Sequence, residues 1–413
     1  MISIITYIAI SIIAILLVRL EKKIHGNYYT PFVLFSIPYL FILLYQILCI
    51  EIYDLDKMSF LYLLIILIFM LNISILGIFY KSMIDKFKSR IPKKYSKVYY
   101  KDSVLEIISI ISATYLLIYF LYSMMSLPNI GQIVQEDFQT RYSGGINFYL
   151  RLICMIGSVY FFSKASFKNI KQAFFGIYCL IPNILTFVKG IIFIICLGGV
   201  LGNIIFNNRK IKIKSILITV ILGISIFFIV YIVEIGIWDI EKLFEKETYE
   251  LIFNKLNVYI ISGVQSFNVN LANNNELFKE ISNPVYAPVL NIFSKFGIVE
   301  RVDSINNIWA NIGYIKNYGD VIVNTNTYIG TLFLYCGLFI GLIINSVIGL
   351  IMYIFYYSAI TKNEIIYIAR YSLLVTGFIL SWFEYYYMHT FWIYLIILFY
   401  LFIKVSKFKS IKL

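Results

Sequence analysis

Long apolar runs make up most of the chain, and one long interval without such a run separates two groups of them. Residues 59–80, 215–236 and 331–354 each supply the roughly 20 mostly apolar residues that a helix needs to cross a bilayer. Residues 238–325 contain no run of that length. This pattern predicts a polytopic membrane protein with one large loop on one side of the membrane.

The lengths of the apolar runs predict an all-α fold with about 11 transmembrane helices. The count has a range of about 10–13, because residues 174–206 are apolar almost throughout and only Pro182, Lys189 and Gly190 interrupt them. The predicted spans are residues 2–18, 31–50, 58–80, 103–124, 146–163, 173–188, 190–206, 215–237, 328–354, 366–385 and 390–403.

Composition and charge narrow the class of protein. Hydrophobic residues make up 61% of the chain and charged residues 14%, which excludes a soluble multidomain protein. The net charge is +13, but the basic residues form short clusters between apolar runs, so we expect no nucleic-acid partner.

The basic clusters also predict the orientation. If the eleven spans alternate across the bilayer, every basic cluster lies on one side: residues 19–23, 81–101, 164–171, 209–214 and 404–412. The positive-inside rule makes that side cytoplasmic. The N-terminus is then outside and the C-terminus is in the cytoplasm.

We interpret residues 1–413 as a single integral membrane domain, with residues 238–325 as its large extracytoplasmic loop. Residues 239–259 show apolar positions at helical spacing, which predicts an amphipathic helix on the outer surface. Pro284 and Pro288 break the chain, and a second short helix is expected over residues 289–296. The loop is therefore predicted to be partly helical.

All five cysteines lie in apolar runs, and none lies in the large loop. The chain therefore offers neither a disulfide framework nor the ligand spacing of a zinc site. We predict no metal site and no cofactor.

Four cations lie on the predicted outer face, where basic residues are scarce: Arg141, Arg151, Lys189 and Arg301. A charge within or at the edge of the bilayer is costly unless it is hydrated, paired or bound to a ligand. An anionic lipid headgroup is one partner. Snorkelling to the interface, or an ion pair with an acid of the same face such as Glu234, explains these residues equally well.

Glu384 is another acid of this face and lies in an aromatic cluster, SWFEYYYMHTFW. Partial burial there would raise its pKa toward that of a general base, although pairing with an arginine is the alternative. His389 follows in a tight turn, either as an interfacial histidine or as a group that transfers protons.

The large loop combines aromatic and amide side chains, which together recognise ring compounds rich in hydroxyl groups. Tyr259 and Asn324 are examples. Asn326 and Thr327 are good cap residues for the following helix, whose N-terminus also suits a phosphate. Both interpretations of Asn326, capping and anion binding, stay open.

Three segments carry a resemblance to a known family. They are NTNTYIGTLFLYCGLFIGL at residues 324–342, the pair Lys189-Gly190 that opens IIFIICLGGV, and YIISGVQSFN at residues 259–268. Together with the topology, they resemble the repeat-unit polymerases of O-antigen and capsular polysaccharide (Wzy type), which are related to the O-antigen ligases.

The resemblance implies a GT-C-like membrane glycosyltransferase in the bacterial cytoplasmic (inner) membrane. Such an enzyme transfers a growing glycan from polyprenyl (undecaprenyl) pyrophosphate to a second lipid-linked repeat unit at the outer face. Its partners are these lipid-linked oligosaccharides, the bilayer and, in some systems, a chain-length regulator. It uses no metal, no cofactor and no nucleotide sugar.

The resemblance also implies roles for particular residues. Arg141 and Lys189 would stabilise the departing pyrophosphate. The resemblance leaves the general base unassigned, and Glu384 joins the predicted catalytic group on the strength of its own aromatic surroundings. The substrate-binding residues would be Arg151, Tyr259, Gly263, Arg301, Asn324, Asn326, Tyr328 and His389.

Two departures from the family pattern bear on these roles. The basic residue before the mid-chain glycine is commonly arginine in the family, whereas Lys189 offers a point charge and no bidentate fork. The ligases carry a histidine near the Asn-x-Tyr segment, where this chain has Thr325 and Thr327. That difference favours a polymerase over a ligase. A lipid-linked oligosaccharide flippase or another transporter is the alternative outside the enzymes.

Overall fold

The computed structural model describes residues 2–50, 55–88, 103–166, 168–209, 213–273, 284–302, 309–315 and 319–410. About 80% of the structure is helical. The helices are α1 (Ile2–His25), α2 (Pro31–Cys49), α3 (Phe60–Lys88), α4 (Ser103–Met125), α5 (Glu136–Ser143), α6 (Gly145–Lys164), α7 (Ile170–Ile184), α8 (Lys189–Phe206), α9 (Ile213–Trp238), α10 (Lys246–Ala272), α11 (Ala287–Ser294), α12 (Tyr328–Lys362), α13 (Ile365–Leu374), α14 (Thr376–Ile379) and α15 (Phe391–Ser410).

The predicted class, a helical multi-pass membrane protein, is confirmed. Within the described ranges, seven helices are long and apolar enough to cross a membrane: Ile4–His25, Pro31–Cys49, Phe60–Lys86, Val104–Met125, Gly145–Lys164, Lys189–Phe206 and Tyr328–Lys362. Three shorter apolar helical segments are Gly223–Ile237, Ile365–Ile379 and Phe391–Ser406. Every predicted span overlaps a helix of the structure.

The chain forms two compact units, each assembled from three separate segments. Unit 1 comprises Met1–Lys93, Phe253–Tyr356 and Gly377–Trp392. Unit 2 comprises Lys94–Ile252, Tyr357–Thr376 and Ile393–Leu413.

In unit 1, α1, α2 and α3 pack against one another, and a buried polar cluster lies near the end of α1. The Glu21 carboxylate lies 3.2 Å from Nε2 of His25, one helical turn later, and both side chains are inaccessible to solvent. Oε1 of Glu21 also accepts a hydrogen bond of 3.1 Å from the Tyr353 hydroxyl. A buried carboxylate needs such partners, because an uncompensated charge inside a membrane domain is costly.

The predicted span over residues 328–354 is in fact two helical pieces that meet at Gly337. Gly337 has φ 72° and ψ 176°, a conformation that breaks a helix and that favours glycine. The Tyr328 hydroxyl donates to Oδ1 of Asn345 at 3.0 Å, although the two residues are 17 positions apart. In a continuous helix they would be about 25 Å apart. Residues 328–336 therefore fold back against the start of residues 338–362.

The helix predicted over residues 366–385 is also shorter than expected, because α14 ends at Ile379. After α14 the backbone forms hydrogen bonds with other elements: the carbonyl of Ser381 accepts a hydrogen bond of 2.8 Å from the N–H of Tyr328. Residues 380–390 form turns and a single turn of 3-10 helix at Tyr386–Met388.

The loop of unit 1 is folded and includes two strands that the all-α prediction missed. β1 (Ala310–Ile315) pairs antiparallel with β2 (Gly319–Val323), and the register shifts between Asn311 and Tyr314. Ala310, Ile312 and Val321 are buried in one apolar cluster with residues of α2 and α10. The strands thus form because alternate residues find an apolar surface to cover.

The two predicted loop helices are present with different limits. The short second helix is α11, as expected. The amphipathic helix begins at Lys246 and continues to Ala272, about four turns beyond its predicted end. Its second half is buried, because Ile261, Val264 and Phe267 pack in the interior of unit 1.

In unit 2, α6 lies at the centre and packs against α4, α7, α8 and α13. Its interior side is almost fully buried, as at Met155, Val159 and Phe161. Helix α5, which precedes it, packs Phe138 and Tyr142 against Phe120 of α4. These contacts fix the positions of the cations of unit 2.

Candidate functional site

A close contact between α10 and residues 382–383 positions Glu384. A Cβ atom at Gly263 would lie 2.7 Å from the carbonyl oxygen of Trp382 and would overlap the carbonyl oxygen of Phe383. Only glycine allows the helix to approach this backbone so closely. Gly263, predicted to bind substrate, therefore has a clear packing role beside the predicted catalytic acid.

The Glu384 side chain lies in an aromatic environment. The ring of Phe383 stacks on that of Tyr259, with centroids 5.5 Å apart and planes at 13°. The ring of Tyr386 lies 6.3 Å from that of Phe383. Within unit 1, Tyr259 thus packs on Phe383, the residue that precedes Glu384 in the chain.

Glu384 is half-buried. In the sequence it lies between the apolar helical segments Ile365–Ile379 and Phe391–Ser406 and belongs to neither. Within the described part of the chain, its carboxylate has no hydrogen bond and no ion pair. Burial without a compensating donor raises the pKa of Glu384 from 4.5 to about 7. A carboxyl group in this state can accept a proton near neutral pH.

His389 is half-buried a few residues further on. Its ring stacks on Phe391 at 5.8 Å and 14°, and the ring of Tyr386 is 6.4 Å away. Burial lowers the pKa of His389 to about 4, so the imidazole is neutral at physiological pH. A neutral ring can donate or accept a hydrogen bond, but it offers no charge to a phosphate.

The Asn324–Tyr328 segment is bound into the interior of unit 1. Oδ1 of Asn326 accepts hydrogen bonds from Ser266 at 3.1 Å and from Asn270 at 3.3 Å. Thr327 caps α12 by accepting the N–H of Gly330 at 2.8 Å. Thr327 therefore caps α12, whereas the Asn326 side chain bonds α10 instead, and the phosphate-binding role of this helix end stays a prediction.

The remaining two residues of the segment have different surroundings. Asn324 is half-buried in the link between β2 and α12. Tyr328 is fully buried, and its ring packs against those of Phe35, Phe378 and Tyr385. The contacts of Tyr328 explain it as an interior residue.

Amide side chains such as Asn268 and Asn270 were expected to be available to a ligand in the loop, but the polar side chains of α10 are buried inside unit 1. Gln265 accepts a hydrogen bond from Gln46 and donates one to the carbonyl of Asp56 at 3.1 Å. Asn268 donates to the carbonyl of Lys57 at 3.2 Å. Polar residues at 262, 265, 266, 268 and 270, on several faces of one helix, were the available signal, because a surface helix would confine them to one face.

Lys189 of unit 2 has two partners in its own unit. Its Nζ lies 2.9 Å from Oε2 of Glu234 and 3.9 Å from the centre of the Tyr231 ring. The Lys189 side chain is largely buried, whereas that of Glu234 is about one-third exposed. The ion pair weighed in the sequence analysis is thus observed. A phosphate would have to compete with Glu234 for this ammonium group.

The two arginines of unit 2 differ from each other. Arg151 is only 7% exposed, and its guanidinium donates a hydrogen bond of 3.4 Å to Oγ1 of Thr186. Its Nε has no partner within the described ranges. Arg141, in the last turn of α5, is exposed and makes no ion pair with a described acid.

Arg301 belongs to unit 1 and is exposed at the end of the segment that follows α11. Of the predicted site residues, Arg141, Arg151 and Lys189 therefore belong to unit 2, and the others belong to unit 1. No group of three His, Cys, Asp or Glu side chains that could hold a metal occurs among the residues described.

Comparison with protein families places the chain in one of them. Residues 79–411 match a family of unknown function, DUF6337, and the chain belongs to this family. The match includes every predicted site residue. Searches of curated proteins and of solved structures gave no match.

Proposed function

We propose that this protein polymerises lipid-linked oligosaccharide repeat units at the outer face of the bacterial cytoplasmic membrane. The proposal includes a GT-C-like arrangement of about eleven spans with the N-terminus outside. The observation that carries it is the half-buried Glu384, which has no partner among the described residues and lies beside the stacked rings of Tyr259 and Phe383.

Glu384 is suited to the role of general base for a sugar hydroxyl. A carboxyl group with a pKa of about 7 is substantially ionised at neutral pH and is still basic enough to take a proton in the transition state. The Tyr259 side chain is 39% exposed and would offer an aromatic surface to a sugar ring. Together they would hold the acceptor repeat unit.

The proposed reaction forms one glycosidic bond. The acceptor oxygen attacks the anomeric carbon of the donor glycan, and the bond from this carbon to the pyrophosphate oxygen breaks. The hydroxyl proton passes to the Glu384 carboxylate, and the bonding electrons leave with the polyprenyl pyrophosphate.

The pyrophosphate would be stabilised by cations of the outer face. Arg141 supports this role because it is exposed and has no acid partner among the described residues. Lys189 can take part only if it exchanges Glu234 for phosphate. Of the two cations of unit 2, we therefore propose Arg141 as the stronger candidate for a phosphate contact, with Lys189 in a secondary role.

The test is the replacement of Glu384 by glutamine, which keeps the size of the side chain and removes the base. We expect Glu384→Gln to lower the rate of polymerisation by about 10²–10⁴-fold, while single lipid-linked repeats accumulate. Glu384→Asp should retain part of the activity. Glu245→Gln, a change of an exposed acid outside the site, is the matched control.

If Glu384→Gln reaches the membrane at the level of the control and still makes full-length polysaccharide, Glu384 is not the base.

One observation favours a transporter as the second candidate. Broken helices are typical of secondary transporters, and α12 is broken at Gly337. A deletion strain separates the two functions. Single repeats that an external glycosidase can cleave indicate a missing polymerase, whereas repeats confined to the cytoplasmic leaflet indicate a missing flippase.

A further inference from the structure

The segment from Tyr286 to Arg301, here called the α11 tip, carries a concentration of exposed apolar side chains. Phe296 is 75% exposed and Ile298 is 66% exposed. Val289, Phe293 and Val299 are exposed as well. A soluble surface rarely leaves so many large apolar residues together, so this surface needs a partner.

The exposed apolar side chains of the α11 tip belong to a segment that is held by defined hydrogen bonds. Asn291, within α11, uses both ends of its amide to bind the backbone of Val302: Nδ2 donates to the carbonyl at 2.8 Å, and Oδ1 accepts the N–H at 2.9 Å. These two hydrogen bonds close residues 291–302 into a compact loop. The apolar side chains are therefore held outward by the loop itself.

The position of the tip relative to α12 identifies the environment. The Tyr286 hydroxyl lies 3.9 Å from Sγ of Cys336, immediately before the break at Gly337. Residues 338–362 form a helical piece about 37 Å long, which is enough to cross the roughly 30 Å hydrocarbon core. If residues 338–362 form this span, Gly337 lies at one membrane interface, and the start of the tip lies at the same depth.

The surface of α12 at this depth is also apolar. Phe339 is 77% exposed, and Leu338 and Ile340 are exposed beside it. Side chains of this kind on a membrane-spanning helix contact lipid. The apolar residues of the tip thus continue, at the same depth, a surface that already faces the acyl chains.

The charges of the tip fit a lipid partner too. Lys295 and Arg301, both exposed, flank Phe296 and Ile298 in sequence, and the tip contains one acid, Glu300. Basic residues beside aromatic and aliphatic side chains are typical of segments that lie in the headgroup region, where the cations meet phosphate groups.

We propose that the α11 tip inserts Phe296 and Ile298 into the bilayer at the interface near Gly337, with Lys295 and Arg301 against anionic headgroups. The partner is the lipid bilayer itself. This role would explain Arg301 without a sugar ligand, and it does not depend on the proposed function of the protein.

The test places an environment-sensitive NBD dye on the tip of the full-length protein. Phe296→Cys is labelled in a background in which Cys196 and Cys336, the two native cysteines that are not fully buried, are replaced by alanine. The protein is reconstituted in vesicles of phosphatidylcholine and phosphatidylglycerol at a ratio of about 3 to 1. Tyr314→Cys on β1, also an exposed aromatic position of the loop, is the matched control.

We expect the dye at position 296 to be quenched by doxyl lipids and protected from aqueous iodide, with the reverse result at position 314. Dye at Val299 provides a second position if the first variant does not fold. Replacement of Arg301 by alanine should weaken the doxyl quenching, and so should the removal of phosphatidylglycerol.

Two results would overturn the inference. One is iodide quenching at position 296 equal to that at position 314. The other is protection of position 296 that persists unchanged in detergent and coincides with cross-linking between two copies, which would identify a second copy of the chain as the partner.

Discussion

Glu384 in unit 1 and Lys189 in unit 2 were assigned to one catalytic group by the sequence, yet their surroundings differ. Lys189 has an acid at 2.9 Å and an aromatic ring at 3.9 Å. Glu384 has aromatic neighbours but no charged partner among the residues described. A paired charge is stabilised where it is, whereas an unpaired acid in an apolar setting is costly to keep ionised.

The difference teaches how to rank candidate residues. A group that keeps its reactivity at the expense of stability is a better candidate for chemistry than one whose charge is already neutralised. Glu384 meets this criterion and Lys189 does not, so the largest effects should be found at Glu384 and its supports.

The first prediction concerns pH and has the largest expected effect. Because the pKa of Glu384 is raised to about 7 and the base must be ionised, activity should rise with pH and level off above that value. Below it, activity should fall about tenfold per pH unit. The turnover rate of the purified enzyme, measured between pH 5 and 8, tests this acidic limb of the pH–activity profile.

Glu384→Gln supplies the control for the pH profile, because its residual activity should lack this limb. Folding shows the opposite dependence on pH: the raised pKa favours the protonated acid in the folded state, so stability should decrease as the pH rises from 4.5 to about 7. An unchanged limb in the glutamine variant would assign the titration to another group.

The second prediction tests the support of Glu384. Gly263→Ala should lower the free energy of unfolding by about 1–3 kcal/mol and displace the acid, because the added Cβ collides with the carbonyls of Trp382 and Phe383. The thermal unfolding temperature and the activity should fall together. At Gly349, in the same unit, a Cβ would make ordinary contacts of 3.5 Å and 3.8 Å, so Gly349→Ala is the matched control.

If both glycine variants behave alike, the close approach at Gly263 is not needed to hold the acid in place.

The third prediction concerns the fold-back of α12. Tyr328→Phe removes the hydroxyl that binds Asn345 and should cost about 1 kcal/mol in stability, with activity at saturating substrate nearly unchanged. Thermal unfolding and turnover on the same preparation provide the measurement. If Tyr328→Phe loses much of its activity while its stability is unchanged, Tyr328 binds substrate, as the sequence analysis predicted.

The fourth prediction has the smallest effect and concerns Lys189. The coupling free energy between Lys189 and Glu234 should be about 0.5–1 kcal/mol in a double-mutant cycle with Lys189→Met and Glu234→Gln, since the acid is partly exposed to solvent. The single variants should lose less than about tenfold in activity. A loss as large as that of Glu384→Gln would contradict the ranking of the two residues.

The helical spans were predictable because run length and hydropathy report directly on burial in lipid. The limits of α2, Pro31 to Cys49, differ from the predicted span by only one residue. The break at Gly337 was not predictable in this way. Residues 328–362 are apolar on both sides of it, so hydropathy does not distinguish one long helix from two pieces that fold back.

The site was predictable in part. The aromatic surroundings of Glu384 follow from its neighbours in sequence, and Glu234 was considered as a partner for Lys189. The contact of Gly263 with residues 382–383 joins positions more than a hundred residues apart, and no local pattern encodes it. The strands β1 and β2 were missed because their apolar partners lie on α2 and α10.

The polar cluster around Glu21 also bears on how the chain is made. Glu21 and the Tyr353 hydroxyl that binds it are 332 residues apart, so at the usual speed of a ribosome α1 must wait roughly 20–60 s for that hydroxyl. His25 lies in the same helix, one turn after Glu21, and is translated together with it. The Glu21 carboxylate thus has a local partner, His25, as soon as α1 has been translated. Its distant partner, the Tyr353 hydroxyl, becomes available only when most of the protein has been translated.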